Sequence, residues 1–293
     1  MSFKVYSNFI DSNDSLYDGL KLLNKPITFF YDYIPKSQEE LNHNPYNFIM
    51  LHEPNEFFGM QDWVKQNYNL FDGILTYNQD ILNSCPNAVH HHHFVSKFTD
   101  KEIENFNFKY NQKSDKNFEI SFLSGAKNLV EGHKLRQEIY KLKEKITIPK
   151  KWKYTLDDFN PDDFDKGGIG RPNDSREMWE GKKYLFEGSM FHIAIENVNQ
   201  PNWYTEKICD AFATKTLPIY WGCENIGDLG YDERGIIRFK DLNDLVEIIN
   251  SLTPEIYFEK LSYIEHNYKR SLLEKPKDQL LSFFQEIIKL NNL

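Results

Sequence analysis

The chain alternates apolar runs of strand length with polar or amphipathic stretches, and it does so in two successive series, which restricts it to few architectures. Residues 3–6, 27–31, 46–51 and 73–77 make the first series, with 15–23 and 61–68 suited to helices between them. Such alternation favours a parallel α/β sheet. From 97 to 117 the chain turns charged and has no long apolar run, as a linker would. In the second series 118–123 reads as strand, 130–144 as helix, 191–196 as strand, 205–214 as helix, 217–221 and 236–239 as strands, and 241–251 and 253–266 as helices. The stretch 149–173, with several Asp, Gly and Pro residues, reads as loop. In the tail, Leu280, Leu281, Phe284 and Ile287 recur at a spacing suited to one apolar helix face. The expected organisation is an N-terminal lobe over 1–110, a second lobe over 111–275, and a C-terminal helix over 276–293 docked across them.

Composition narrows the function classes. At 293 residues and 40% hydrophobic the chain can bury a sizeable core, and 15% aromatic content is too high for a disordered protein. A net charge of -9 argues against a general nucleic-acid binder, because neutralising phosphates needs a basic face. Cys85, Cys209 and Cys223 include no CxxC pair, so neither a disulfide framework nor a zinc knuckle is expected. The first residues open into a strand-like run without signal-peptide features. No window approaches the roughly 18 apolar residues of a membrane helix. These features predict a soluble, cytoplasmic protein without a transmembrane segment, with peripheral membrane association through the amphipathic tail left as an alternative.

The densest cluster of chemistry-bearing residues runs from 191 to 222. An apolar strand ends in Glu196-Asn197, a loop follows, and a helix opens at Tyr204-Thr205-Glu206-Lys207 with Thr205 as its N-cap. Ligands of open α/β sheets bind at such strand ends. A helix N-terminus attracts an anion, and Lys207 in the first turn adds a full positive charge where a diphosphate would lie. Glu206 is a suitable acceptor for ribose or sugar hydroxyls. From residue types alone, Thr205 and Glu206 acting only as a cap, with Lys207 a solvated charge, is an equal alternative.

Glu196-Asn197, Tyr204-Thr205-Glu206-Lys207 and then Leu217-Pro218-Ile219-Tyr220-Trp221-Gly222 together resemble, in letters and spacing, the donor-binding signature of the α1,3/4-fucosyltransferases, glycosyltransferase family 10. The resemblance is strong over 184–222, moderate over 118–140 and weak over the first hundred residues. It implies an α/β fold of GT-B type, two Rossmann-like lobes with the active site in the cleft between them. It further implies a GDP-fucose donor held by the C-terminal lobe, inversion at the anomeric carbon and no essential metal. Phe122-Leu123-Ser124-Gly125 with Leu135-Arg136 is similar to the family's strand and helix whose arginine meets the diphosphate. A guanidinium suits that task because it binds phosphate oxygens bidentately and stays charged; a surface salt bridge is the alternative role. Leu51-His52-Glu53-Pro54 resembles the place where the family keeps a catalytic glutamate, which makes Glu53 the expected general base, with Glu56 and Asp62 as rivals. The donor-binding set implied is Arg136, Glu196, Asn197, Tyr204, Thr205, Glu206 and Lys207. Arg171 joins it from the glycine-containing loop Lys166-Gly167-Gly168-Ile169-Gly170-Arg171. The expected partners are a nucleotide sugar and an oligosaccharide or glycoconjugate acceptor. Another sugar nucleotide on the same fold, and a non-catalytic carbohydrate-binding protein, remain alternatives.

Other signals carry less weight. The run His90 to His93 invites a metal reading, but alternate histidines of an extended segment face opposite ways and no acid or cysteine completes a site. A strand or loop lining the cleft is the preferred reading. Asp163-Phe164-Asp165 matches a loose metal-binding pattern yet lies in an acidic stretch that reads as a solvated loop. Trp203 and Tyr204, just before the helix, are candidates to pack against the donor's sugar or base, and Trp221 is expected in the core.

Overall fold

The computed structural model describes residues 3–8, 21, 25–91, 96, 100–109, 116–154, 185–186, 188–273, 281 and 284. The chain divides into two compact units, the first Met1–Phe94 with Pro201–Trp203 and Glu274–Leu293, the second Val95–Gln200 with Tyr204–Leu273.

The first unit is built on five parallel strands, β1 (Lys4–Ser7), β2 (Ile27–Tyr31), β3 (Tyr46–Leu51), β4 (Gly73–Thr76) and β5 (Ala88–His90), paired in sequential order. Its helices are α1 (Gln38–Leu41), α2 (Asn55–Phe58), α3 (Met60–Gln66) and α4 (Gln79–Ser84). Parallel crossovers are right-handed, so strands that advance steadily in one direction put their connections on one face of the sheet. Alternate side chains follow that division. Phe30, Ile49, Leu51 and Ile74 pack with Met60 and Val64 of α3 and Ile81 of α4. Phe29, Phe48, Met50 and Leu75 face the other way, and Phe284, from the far end of the chain, joins them there. Its ring meets Phe48 and Phe29 edge-on, with centroids 4.8 and 5.5 Å apart.

The second unit opens with α5 (Asp100–Lys109) and also holds a parallel five-stranded sheet, made of β6 (Asn117–Ser124), β7 (Lys150–Tyr154), β8 (Ser189–Ile195), β9 (Leu217–Trp221) and β10 (Ile237–Arg238). Its spatial order is β10-β9-β8-β6-β7. Around it lie α6 (Glu131–Lys141), α7 (Glu206–Ala213), α8 (Leu242–Ser251), α9 (Pro254–Glu259) and α10 (Leu261–Leu272). The chain runs outward from β6 to β7, then returns past β6 to β8 and continues to β9 and β10. The order therefore reverses between β6 and β8, and the crevice beyond their C-terminal ends is where open α/β sheets take ligands. β8 is buried along its whole length, as a central parallel strand must be.

Two segments differ from the sequence expectation. The stretch expected as loop, 149–173, begins with strand β7, whose Lys-Lys-Trp-Lys-Tyr sequence has no apolar run because it forms the edge of the sheet and needs only Trp152 to pack on Phe122, at 5.0 Å. The expected linker, 97–117, holds α5, which buries Ile103 against Leu185, Phe186, Ala211 and Ala213. A helix of this kind needs no long apolar run, because its buried positions are spaced along the sequence. Most of 149–173, including Asp163, Asp165 and Arg171, lies outside the described residues, as do His92, His93 and the tail positions Leu280 and Ile287. Among the described residues no helix is long and apolar enough to cross a membrane.

Candidate active site

At the end of β8 the chain enters Glu196, whose carboxylate is fully buried. Its Oε1 accepts the Thr205 backbone N–H at 2.9 Å and its Oε2 accepts the Thr205 hydroxyl at 2.5 Å. Thr205 Oγ1 in turn accepts from the Lys207 N–H at 3.3 Å, capping α7, and from Lys207 Nζ at 3.0 Å. The hydroxyl thus uses its one donor and both lone pairs. Burial pushes the Glu196 carboxyl up, while Lys207 and the Thr205 hydrogen bonds pull it back. Lys207 Nζ also lies 3.2 Å from Glu206 Oε1 and 3.9 Å from Glu196 Oε2. One buried acid therefore fixes the cap, and the cap fixes the lysine at the positive end of the α7 dipole.

α6 closes the site from the β6 side. Arg136, itself buried, donates from Nη1 to the carbonyls of Ile195 at 2.6 Å and Glu196 at 3.3 Å, and from Nη2 to Asn197 Oδ1 at 2.8 Å. Burial brings this guanidinium down to about 10, against the opposing pull of Glu196 and Glu206, so it is cationic at neutral pH. Gly132 lets α6 approach β8: its N–H donates to the Asn197 carbonyl at 2.9 Å, and a Cβ here would stand 1.8 Å from the Glu196 carbonyl oxygen. His133 Nδ1 accepts the N–H groups of Leu129 and Val130, at 3.3 and 3.4 Å, much as an N3 glutamate does in a capping box. Burial, then Arg136, Lys127 and Lys207, lower this imidazole to about 3. It is neutral, and the three cations that depress it mark a region of positive potential.

These elements line a cavity of about 190 Å3, walled by Ser124 and Gly125 from β6 and its end, Ile193 to Ile195 from β8, Arg136 from α6, and Glu206 and Lys207 from α7. Whole small-molecule pockets run to roughly 300–1,000 Å3, so this space has room for part of such a ligand. Arg136, Glu196, Asn197, Thr205, Glu206 and Lys207 are brought together here. Tyr204 is 1% exposed and packs edge-on with Tyr231 at 5.4 Å, in a core with Ile208 and Phe212. Trp203 is likewise buried, in the first unit, and Trp221 sits in the core of the second. His133 and Lys127 were not singled out from the sequence. Their part depends on α6 docking at β8, and no local motif announces that.

In the first unit Glu53 follows the C-terminal end of β3 by two residues. It is half-buried, whereas Glu56 and Asp62 are exposed on α2 and α3. The loop carrying it is held at each backbone polar group. Asp32 Oδ1 accepts the N–H of His52 at 2.7 Å and of Glu53 at 3.1 Å, Trp203 Nε1 donates to the His52 carbonyl at 3.0 Å, and Gln61 Nε2 donates to the Glu53 carbonyl at 3.0 Å. His91 is buried and lowered to about 4 by burial and His90. Among the described residues no group of three His, Cys, Asp or Glu is arranged to hold a metal ion.

Two parallel sheets in two units, with a cationic, helix-capped pocket at a switch point, define a glycosyltransferase fold of the GT-B type. Two α1,3-fucosyltransferase crystal structures, one with GDP and one with GDP-fucose, align over 98% of this chain and 90% of theirs, at TM-scores of 0.59 and 0.56 and 15% identity. An α-glucosyltransferase in complex with UDP-glucose and DNA containing an abasic site aligns over 94% of this chain and 83% of its own, at a TM-score of 0.55 and 12% identity. In sequence the chain is similar to the α-(1,3)-fucosyltransferase FucT of Helicobacter pylori, 27% identical over 82 residues. That match spans 28% of this chain and 17% of the relative. No protein-family model matches the chain. Sequence and fold thus both resemble glycosyltransferase family 10.

Proposed function

We propose that the chain is an inverting glycosyltransferase that moves L-fucose from GDP-fucose to a hydroxyl of an oligosaccharide or glycoconjugate, without a metal. The observation that carries this reading is the Glu196–Thr205–Lys207 relay, which aims a helix N-terminus and a lysine at the cavity between the ends of β6 and β8. The donor diphosphate is assigned to that cavity, where Lys207, Arg136 and the α7 dipole supply the positive charge that a divalent cation supplies in metal-dependent enzymes. Glu206 is assigned to ribose or sugar hydroxyls. Glu53 is the general base. The acceptor oxygen attacks the anomeric carbon, its proton passes to the Glu53 carboxylate, the bond from that carbon to the phosphate oxygen breaks, and GDP leaves with the electron pair. A positioned base contributes about 100- to 10,000-fold to such a step. Cys85, Cys209 and Cys223 are buried free thiols, which suits a reducing, cytoplasmic setting.

The test is nucleotide release from a panel of GDP- and UDP-sugars with and without EDTA. Release from GDP-fucose that survives EDTA and disappears in Glu53→Gln is the expected result. Preference for a UDP-sugar would overturn the fucosyl assignment and favour the second reading, the same reaction with another donor, which the likeness to a UDP-glucose-bound fold supports. Binding without release from any donor would point to a carbohydrate-binding protein.

A further inference from the structure

Asp32 follows β2 as Glu53 follows β3, and these strands are neighbours, with Tyr31 paired to Met50. Its φ of 44° is a left-handed value that a non-glycine residue rarely holds unless the surroundings enforce it. Here they do. Its N–H donates to the Met50 carbonyl at 2.9 Å and its carbonyl accepts from Asn8 Nδ2 at 2.5 Å. The side chain, with no exposed surface, takes the two N–H groups of His52 and Glu53 on Oδ1 and stands 3.7 Å from His52 Nδ1 with Oδ2. We infer that Asp32 is the positioning residue of the catalytic loop: through its two hydrogen bonds to the backbone of His52 and Glu53 it sets where the Glu53 carboxylate stands. This rests on the reading of Glu53 as the base. Burial pushes the Asp32 carboxyl up to about 7, with the two N–H bonds pulling down and Glu53 pushing up, so a buried acid is retained here against its solvation preference.

The left-handed backbone permits two clean variants, because asparagine and glycine both tolerate this φ. Asp32→Asn keeps an oxygen for both N–H groups, whereas Asp32→Gly removes it without adding backbone strain. The experiment measures kcat, KM for GDP-fucose and melting temperature for both variants beside Glu53→Gln, well below the melting point of each. Asp32→Gly is expected to lower kcat about 100-fold, the scale of a displacement of about 1 Å at a reacting group, with the KM for GDP-fucose unchanged. Asp32→Asn should recover kcat to within about threefold of wild type. A glycine variant that keeps wild-type kcat while Glu53→Gln is dead would overturn the inference and leave the base assignment standing. Should Asp32→Gly not fold, Asp32→Ser, whose hydroxyl stops one bond short of the Oδ1 position, replaces it and should lower kcat at constant KM; unchanged kcat there overturns the inference equally. Full activity in Glu53→Gln would overturn the base assignment itself and, with it, the role given to Asp32.

Discussion

At the scale of single residues, the pocket between the ends of β6 and β8 depends on groups that serve the chain before they serve any ligand. Glu196 and Arg136 spend their hydrogen bonds on the Thr205 cap and on the end of β8, so each shapes the site through another atom. Gly132→Ala should show how tight this is. Its methyl would collide with the Glu196 carbonyl oxygen, a backbone atom, so α6 must move; a loss of about 1–3 kcal/mol in urea unfolding is expected, together with weaker GDP binding. His133 carries a pH signature. Its folded value of about 3 lies below the roughly 6.5 of an unfolded histidine, so between these values the unfolded chain binds more protons and stability falls as pH drops. His133→Gln keeps an acceptor for the cap without the titration. Melting curves from pH 4 to 7 should therefore show the variant losing less stability in acid than wild type, and equal losses would contradict the assignment.

At the scale of elements, the sequential order of the first sheet has a consequence for the end of the chain. Connections gathered on one face leave the other to be covered from elsewhere, and Phe284 supplies cover against Phe29 and Phe48. Phe284→Ala should cost about 3–5 kcal/mol by equilibrium unfolding, a core-sized loss for a residue near the C-terminus. A loss below 1 kcal/mol would mean that this face is closed without it. In the second unit Lys116, 6% exposed, donates to the Ser189 carbonyl at 2.9 Å and to Thr216 Oγ1 at 2.7 Å, joining the starts of β6, β8 and β9. Burial, then Lys151 and Lys215, lower its amine to about 7. Because the folded value lies below the unfolded one of roughly 10.4, the folded chain binds fewer protons between them, and stability rises with pH through that window. Lys116→Met should remove that rise between pH 7 and 10, as read by the melting temperature of variant and wild type across the range.

At the scale of the whole molecule, both α/β series were legible because buried parallel strands such as 27–31, 46–51 and 191–195 are apolar along their length. Edges were not: β5 and β7 each end a sheet and carry His or Lys, and neither reads as an apolar run. The same division holds for the site. Glu196, Thr205 and Lys207 lie within one short segment and act on each other, so their spacing announces them. Asp32, Gln61 and His133 act through backbone groups brought near by strand pairing or helix docking, which local sequence does not encode. What unites these parts is the claim that the pocket between the ends of β6 and β8 receives the diphosphate of a guanine nucleotide sugar. The most direct measurement is calorimetric titration of GDP-fucose and UDP-glucose into wild type, Lys207→Ala and Glu53→Gln. On that assignment GDP-fucose binds wild type and Glu53→Gln alike, binds Lys207→Ala at least about tenfold more weakly for want of the cation, and outcompetes UDP-glucose. Equal affinity of Lys207→Ala and wild type would contradict it.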